Sequence, residues 1–133
     1  MMSAIRSFRE DGKASFTRGE QVWDYLNSAD AARALRMIGA CGKTPRLQDI
    51  DGKTYVLGSG RPAMLRDYIE IIRQEAAPGA EALYGAVPYA RKQVMHLEAD
   101  ISDLKADFGW KPEIGFREGI RMILAEEQAG LDE

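Results

Sequence analysis

The sequence predicts an α/β fold in which short strands pack under four or five helices. Apolar residues recur at three- and four-residue spacing in five runs, near residues 1–10, 31–39, 64–75, 101–108 and 116–128. That period is helical. Between these runs lie short stretches rich in β-branched and aromatic residues, near 22–27, 53–57 and 94–98. Such composition favours strands. Turn signals such as Asp11-Gly12, Asp51-Gly52 and Pro78-Gly79 punctuate the two kinds of run.

The first run carries Met1, Met2, Ile5 and Phe8 on one stripe and ends at Asp11-Gly12. A loop around Gly19 leads into a strand over 22–27, which holds Val22, Trp23, Tyr25 and Leu26. Asp30 is placed to cap a helix from Ala31 to about Gly39. Gly39 and Gly42 end that helix, and Pro45 lies in the loop beyond. Asp51-Gly52 turns the chain into a strand over 53–57. Gly58-Ser59-Gly60 follows, too short for a dinucleotide fingerprint because residue 63 is Ala. It reads as a strand-to-helix turn. The next helix, from about Met64 to Glu75, sets Leu65, Tyr68, Ile69 and Ile72 inward, and Met64 offers no capping oxygen. Residues 81–93 read as loop and 94–98 as strand. The single histidine, His96, lies on that strand and reads as a packed or solvent-tipped residue rather than a catalyst.

Near the C-terminal end, Asp100 or Ser102 can cap a short helix that buries Ile101, Leu104 and Phe108. Gly109 can end it in the left-handed conformation, and Pro112 stops it restarting. Trp110 is then placed to pack back, against the helices around Leu104 and Ile120. The last helix, from Phe116 to about Gln128, points Ile120, Ile123 and Leu124 inward. Arg117, Glu118, Arg121, Glu126 and Glu127 face solvent, and Gly115 occupies the N-cap with Glu118 three residues on. The acidic tail frays.

The composition is that of a folded, water-facing protein of one domain, with 133 residues, 45% hydrophobic and 29% charged. Net charge is −3 with both signs interspersed. Nucleic acid and anionic membranes both require clustered Lys and Arg, so neither is expected as a partner. No apolar run approaches the roughly 20 residues of a membrane span, and no signal peptide is visible. The single Cys41 excludes an internal disulfide framework and fits a reducing, cytoplasmic compartment. With no nearby histidine it reads as structural. One His and one Cys, far apart, form neither a metal-ligand set nor a nucleophile–base constellation.

Asp100-Ile-Ser-x-Leu-Lys-x-x-Phe-Gly-Trp-Lys-Pro112, then Phe116-Arg-Glu-Gly-Ile120, resembles the C-terminal signature of the extended short-chain dehydrogenase/reductases, the NAD-dependent epimerase/dehydratase family. Segments 19–35, 55–60 (Tyr-Val-Leu-Gly-Ser-Gly) and 84–89 (Tyr-Gly-Ala-Val-Pro-Tyr) agree in order. The resemblance covers nearly the whole chain. It implies a C-terminal half-fold without its Rossmann half, and hence a fragment, because the opening helix would follow a large nucleotide-binding portion.

In the resembled family, NAD(P) binds through a Gly-x-x-Gly-x-x-Gly loop, and a Tyr-x-x-x-Lys pair moves the proton. Neither motif occurs in these 133 residues. The resemblance therefore implies no cofactor in this chain, NAD(P) in a full-length parent, and a nucleotide-sugar substrate positioned but not reacted. The reading is the substrate-binding half of an epimerase, dehydratase or reductase. The alternative is a stand-alone binding or interaction module with the same half-fold.

Two family arginines are replaced, by Trp23 and Ala90. The carried-over substrate-binding candidates are Arg91, Gln93 and Arg61; catalytic, cofactor and metal residues are none. The consecutive apolar Tyr55, Val56 and Leu57, and the stripe of the first helix, further imply a surface meant for the missing half or for a second copy.

Overall fold

The computed structural model describes residues 1–41 and 47–129. The expectations at Gly42, Pro45 and the acidic tail lie outside the described residues. Among those described there are six helices and four short strands: α1 (Met2–Glu10), β1 (Lys13–Phe16), β2 (Val22–Trp23), α2 (Ser28–Cys41), α3 (Leu47–Ile50), β3 (Ala63–Met64), α4 (Leu65–Ala76), β4 (Glu81–Tyr84), α5 (Ser102–Phe108) and α6 (Phe116–Ala129). The chain divides into two compact units. The first is Met1–Trp23, Ala63–Leu97 and Phe116–Glu133; the second is Asp24–Pro62 and Glu98–Gly115.

In the first unit, β1 and β4 run parallel, Lys13 opposite Glu81 and Phe16 opposite Tyr84. A parallel pair needs a crossover, and α4 lies on the connecting path. Ile5 and Phe8 of α1 bury with Ala14, Ile69, Ile72, Ile120 and Leu124 in one core. The 3.6-residue period of α1 is thus used inside the chain: Ile5 and Phe8 are buried, while Met1 and Met2 stay exposed. Phe8, Phe16 and Tyr84 stack in sequence, with ring centroids 5.7 and 6.1 Å apart. Arg117 and Arg121 of α6 are not merely solvated. Both grip Glu75 of α4, Arg121 at 2.8 Å.

Neither β1 nor β4 was expected, since 81–93 reads as loop. Lys13, Ala14, Ser15, Glu81 and Ala82 have little strand propensity, and pairing across the chain overrides it. The strand expected over 22–27 shortens to two residues. Its partners are β3, antiparallel, and a single parallel bridge from Val22 to His96. The strand expected over 94–98 is reduced to that bridge.

The second unit is organised on Trp110. It buries with Ala34 and Leu104, flanked by Leu26, Met37, Ile38, Tyr55, Ile101 and Phe108. Leu104 is the neighbour the sequence named; Ile120 belongs to the core of the first unit. Gly109 has φ +63° and its N–H donates to the Lys105 carbonyl, which ends α5 in the left-handed conformation. Asp100 accepts a hydrogen bond from the Ser102 N–H at 3.0 Å.

Two expectations are corrected in this unit. Residues 53–57 form no strand. Lys53 and Tyr55 are instead tied by their side chains to Asp107 of α5, at 2.8 and 2.7 Å, and the Tyr55 ring packs edge-on to Phe108. Asp30 does not cap α2. The helix starts earlier, at Ser28, and the Asn27 side chain accepts from the Ala29 N–H at 2.9 Å.

Asp30 is 1% exposed and works across the unit instead. Its Oδ2 accepts from the Glu113 and Ile114 N–H groups at 3.0 and 2.9 Å, and its Oδ1 from Arg33 at 2.8 Å. Arg33 also donates to the Lys111 carbonyl and lies over the Trp110 ring.

Candidate substrate surface

The sequence-derived candidates fall on two loops. Arg91 and Gln93 share one turn of the first unit, where the Gln93 N–H donates to the Ala90 carbonyl at 3.1 Å. Arg91 is exposed and Gln93 half-buried. Arg61 belongs to the second unit, exposed, with its N–H on Ser59 Oγ at 3.1 Å.

The loop carrying Arg91 is pinned to the segment before β2. The Tyr89 hydroxyl donates to Glu20 Oε2 at 3.1 Å and accepts from the Glu20 N–H at 3.2 Å. The Trp23 indole donates to the Val94 carbonyl at 2.9 Å. Further in, the Val22 N–H donates to the Met95 carbonyl and the Leu97 N–H to the Val22 carbonyl. Elsewhere in the first unit, the Arg66 guanidinium stacks over the Tyr84 ring, 4.3 Å from its centroid. Glu20 and Trp23 hold this loop but were not singled out as binding residues. Glu20 and Tyr89 are 69 residues apart, and no local pattern announces such a pairing.

Gly58-Ser59-Gly60 does gather backbone donors, and its anion is internal. The Asp24 carboxylate takes the N–H groups of Ser59 at 2.7 Å and Gly60 at 2.8 Å, with Ala99 at 3.3 Å. A turn that could cradle a phosphate is filled by the chain's own carboxylate. The packing leaves no room for a side chain at Gly58: an added Cβ would lie 2.1 Å from the Ala99 Cβ and 3.0 Å from Asp24 Oδ2. Gly58→Ala is therefore expected to cost about 2 kcal/mol, read from the urea midpoint. An unchanged midpoint would show that the turn yields without strain.

Three tyrosines, Tyr25, Tyr55 and Tyr84, are shifted away from proton transfer near neutrality. Burial, followed by the Asp107 hydrogen bond, pushes Tyr55 up to about 12. Burial, followed by the Glu70 charge, pushes Tyr84 up to about 12. Tyr25 is raised by burial. A tyrosine that shuttles protons near neutrality needs the opposite shift. Among the described residues, no group of three or more His, Cys, Asp and Glu could hold a metal ion. No helix among them is long and apolar enough to cross a membrane.

No family profile matches the chain. Individual proteins do. It is 23% identical over 124 residues to CDP-abequose synthase of Salmonella muenchen, covering 93% of this chain and 40% of that protein. It is 29% identical over 112 residues to dTDP-glucose 4,6-dehydratase of Salmonella typhimurium, covering 80% of this chain and 29% of that protein. Among solved structures, RMD from Pseudomonas aeruginosa, complexed with NADPH, superposes with a TM-score of 0.76 at 21% identity, over 96% of this chain and 41% of that one. The chain thus spans well under half the length of the relatives it matches. In sequence and in fold it resembles the C-terminal part of the extended short-chain dehydrogenase/reductases, the NAD-dependent epimerase/dehydratase family.

Proposed function

We propose that this chain is the substrate-binding portion of an NAD(P)-dependent nucleotide-sugar epimerase, dehydratase or reductase, and does not turn over alone. The carrying observation is the pattern of coverage. Relatives named for nucleotide sugars match 80% and 93% of this chain with only 29% and 40% of their own length. The sequence holds neither a Gly-x-x-Gly-x-x-Gly loop nor a Tyr-x-x-x-Lys pair, so hydride chemistry belongs to a parent that supplies them. In this reading Arg91 and Gln93 meet the nucleotide diphosphate, Arg91 as the cation and Gln93 as a neutral donor, while Arg61, on the second unit, is a separate candidate cation. The protein works in the cytoplasm, in keeping with its single thiol. Its apolar surface is covered by the missing half or by a second copy. In support, Val56 and Leu57 are exposed and Tyr55 is only half-buried.

Tryptophan-fluorescence titration tests the reading. A nucleotide sugar such as dTDP-glucose is expected to bind saturably, and Arg91→Ala to weaken it about tenfold, the loss of one charge-assisted contact. NADH is expected not to bind. Saturable micromolar NADH binding, or no response to any nucleotide sugar, would overturn the proposal.

A further inference from the structure

The geometry points to Glu20 and Tyr89 as positioning residues that present Arg91 to the substrate's diphosphate. The inference rests on the nucleotide-sugar reading above and adds to it a pair that acts through Arg91.

Arg91 lies in the turn 90–93, and one short segment, 20–23, holds that turn at both ends. At the entrance the Tyr89 hydroxyl donates to Glu20 Oε2 at 3.1 Å and accepts from the Glu20 N–H at 3.2 Å. At the exit the Val94 carbonyl accepts from the Trp23 indole at 2.9 Å. Between them the turn closes through the Gln93 N–H on the Ala90 carbonyl at 3.1 Å. The holding segment is itself fixed. The carbonyls on either side of Glu20, those of Gly19 and Gln21, accept from the Arg66 and Leu65 N–H groups at 3.0 and 2.7 Å, at the start of α4. Gly19 has φ +72°, and an added Cβ would lie 3.0 Å from the Arg66 Cβ. Gln21 is 2% exposed and donates to Thr17 Oγ1 at 3.2 Å.

Arg91 itself is exposed and, among the described residues, has no ion-pair partner. The backbone of its turn therefore decides where the guanidinium can reach. A cation on a loose loop must be ordered when its ligand arrives, and that ordering subtracts from affinity. A turn clamped beforehand escapes most of this loss. Glu20 is then set apart by the sign of its effect. A carboxylate beside a diphosphate site opposes binding by charge alone. Through its bond to Tyr89, the same carboxylate favours binding.

The test is fluorescence titration of the 133-residue chain with dTDP-glucose. Tyr89→Phe keeps the ring and the net charge and removes both bonds of the clamp, so it should weaken binding about fivefold. Glu20→Ala should weaken it about threefold. Glu20→Gln keeps an oxygen that can accept from Tyr89 and should not weaken it. In an Arg91→Ala background, Tyr89→Phe should have no further effect, because its influence passes through Arg91. Urea midpoints should stay at the wild-type value, since Glu20 is exposed and Tyr89 only half-buried. Three results would each overturn the inference and leave the nucleotide-sugar reading standing: tighter binding by Glu20→Ala, a Tyr89→Phe loss that persists in full without Arg91, or a urea midpoint that falls in step with affinity. Absence of dTDP-glucose binding by the wild type would overturn both.

Discussion

Trp110→Ala is expected to lower the unfolding free energy by about 3–5 kcal/mol. The indole is fully buried against Ala34 and Leu104, and its Nε1–H donates to the Asp30 carbonyl at 3.3 Å. Truncation would leave a cavity at the centre of a cluster whose buried members, among the described residues, are Ala34, Leu104 and Trp110 itself. It would also take the indole donor from the Asp30 carbonyl and the ring from beneath the Arg33 guanidinium. Natural domains hold only about 5–15 kcal/mol in total, so the variant sits near the limit of folding. Urea unfolding followed by circular dichroism reads the loss. Trp110→Phe should cost less, because it keeps most of the volume and gives up the N–H. A loss below about 1 kcal/mol for the alanine variant would mean that the second unit does not depend on this residue.

Asp30→Asn carries the next largest expected effect, about 3 kcal/mol at neutral pH, the lower end of the range for breaking a buried pair. The lower end applies because the Arg33 side chain keeps 23% of its surface and has Glu113 at 3.5 Å as a second partner. An amide cannot accept from Arg33 on one side and from two backbone N–H groups on the other, because one of its termini is itself a donor. The effect should also depend on pH. Burial alone would raise the Asp30 pKa, but hydrogen bonds from Arg33, Ile114 and Glu113 outweigh it, and the group ends below the ordinary carboxylate range. A depressed folded-state pKa adds stability that is complete above the unfolded value and is lost as pH falls through the folded one. The gap between wild type and Asp30→Asn should therefore narrow below about pH 4. A gap that stays constant from pH 7 into that range would show that the carboxylate's charge adds nothing.

Five of the six described helices were legible in the sequence because each carries its own period; α3 was not, and α2 runs through Gly39, the expected stop, to Cys41. α4 and α6 fall within a residue or two of their expected ends, and Gly109 ends α5 in the predicted conformation. The strands were legible only as composition. Tyr55, Val56 and Leu57 have strand propensity, yet Lys53 and Tyr55 are tied to Asp107, 54 and 52 residues away, and the segment takes no partner strand among the described residues. Ala14 and Ala82 lack that propensity and pair regardless. The candidate surface was half legible. Arg91 and Gln93 could be named from a motif. Glu20 could not, because what makes it part of it is a contact with Tyr89, 69 residues away. Asp30 was seen but misassigned, since a cap and a buried hub look alike in sequence.

The two compact units are not consecutive in the chain. The first is assembled from three separate segments and the second from two that lie between them. A nascent chain leaving the ribosome therefore completes neither unit early. The α1–β1 hairpin of structure waits for β4 to find a parallel partner, and Ile5 and Phe8 wait for Ile120 and Leu124 at the far end. Long-range closure of this kind slows folding and keeps apolar surface open while synthesis proceeds. It also means that no single cut separates one unit from the other. Expression of residues 1–97 alone would deliver α1 and α4 without α6, which completes their core, and such a piece belongs with chaperones rather than in solution.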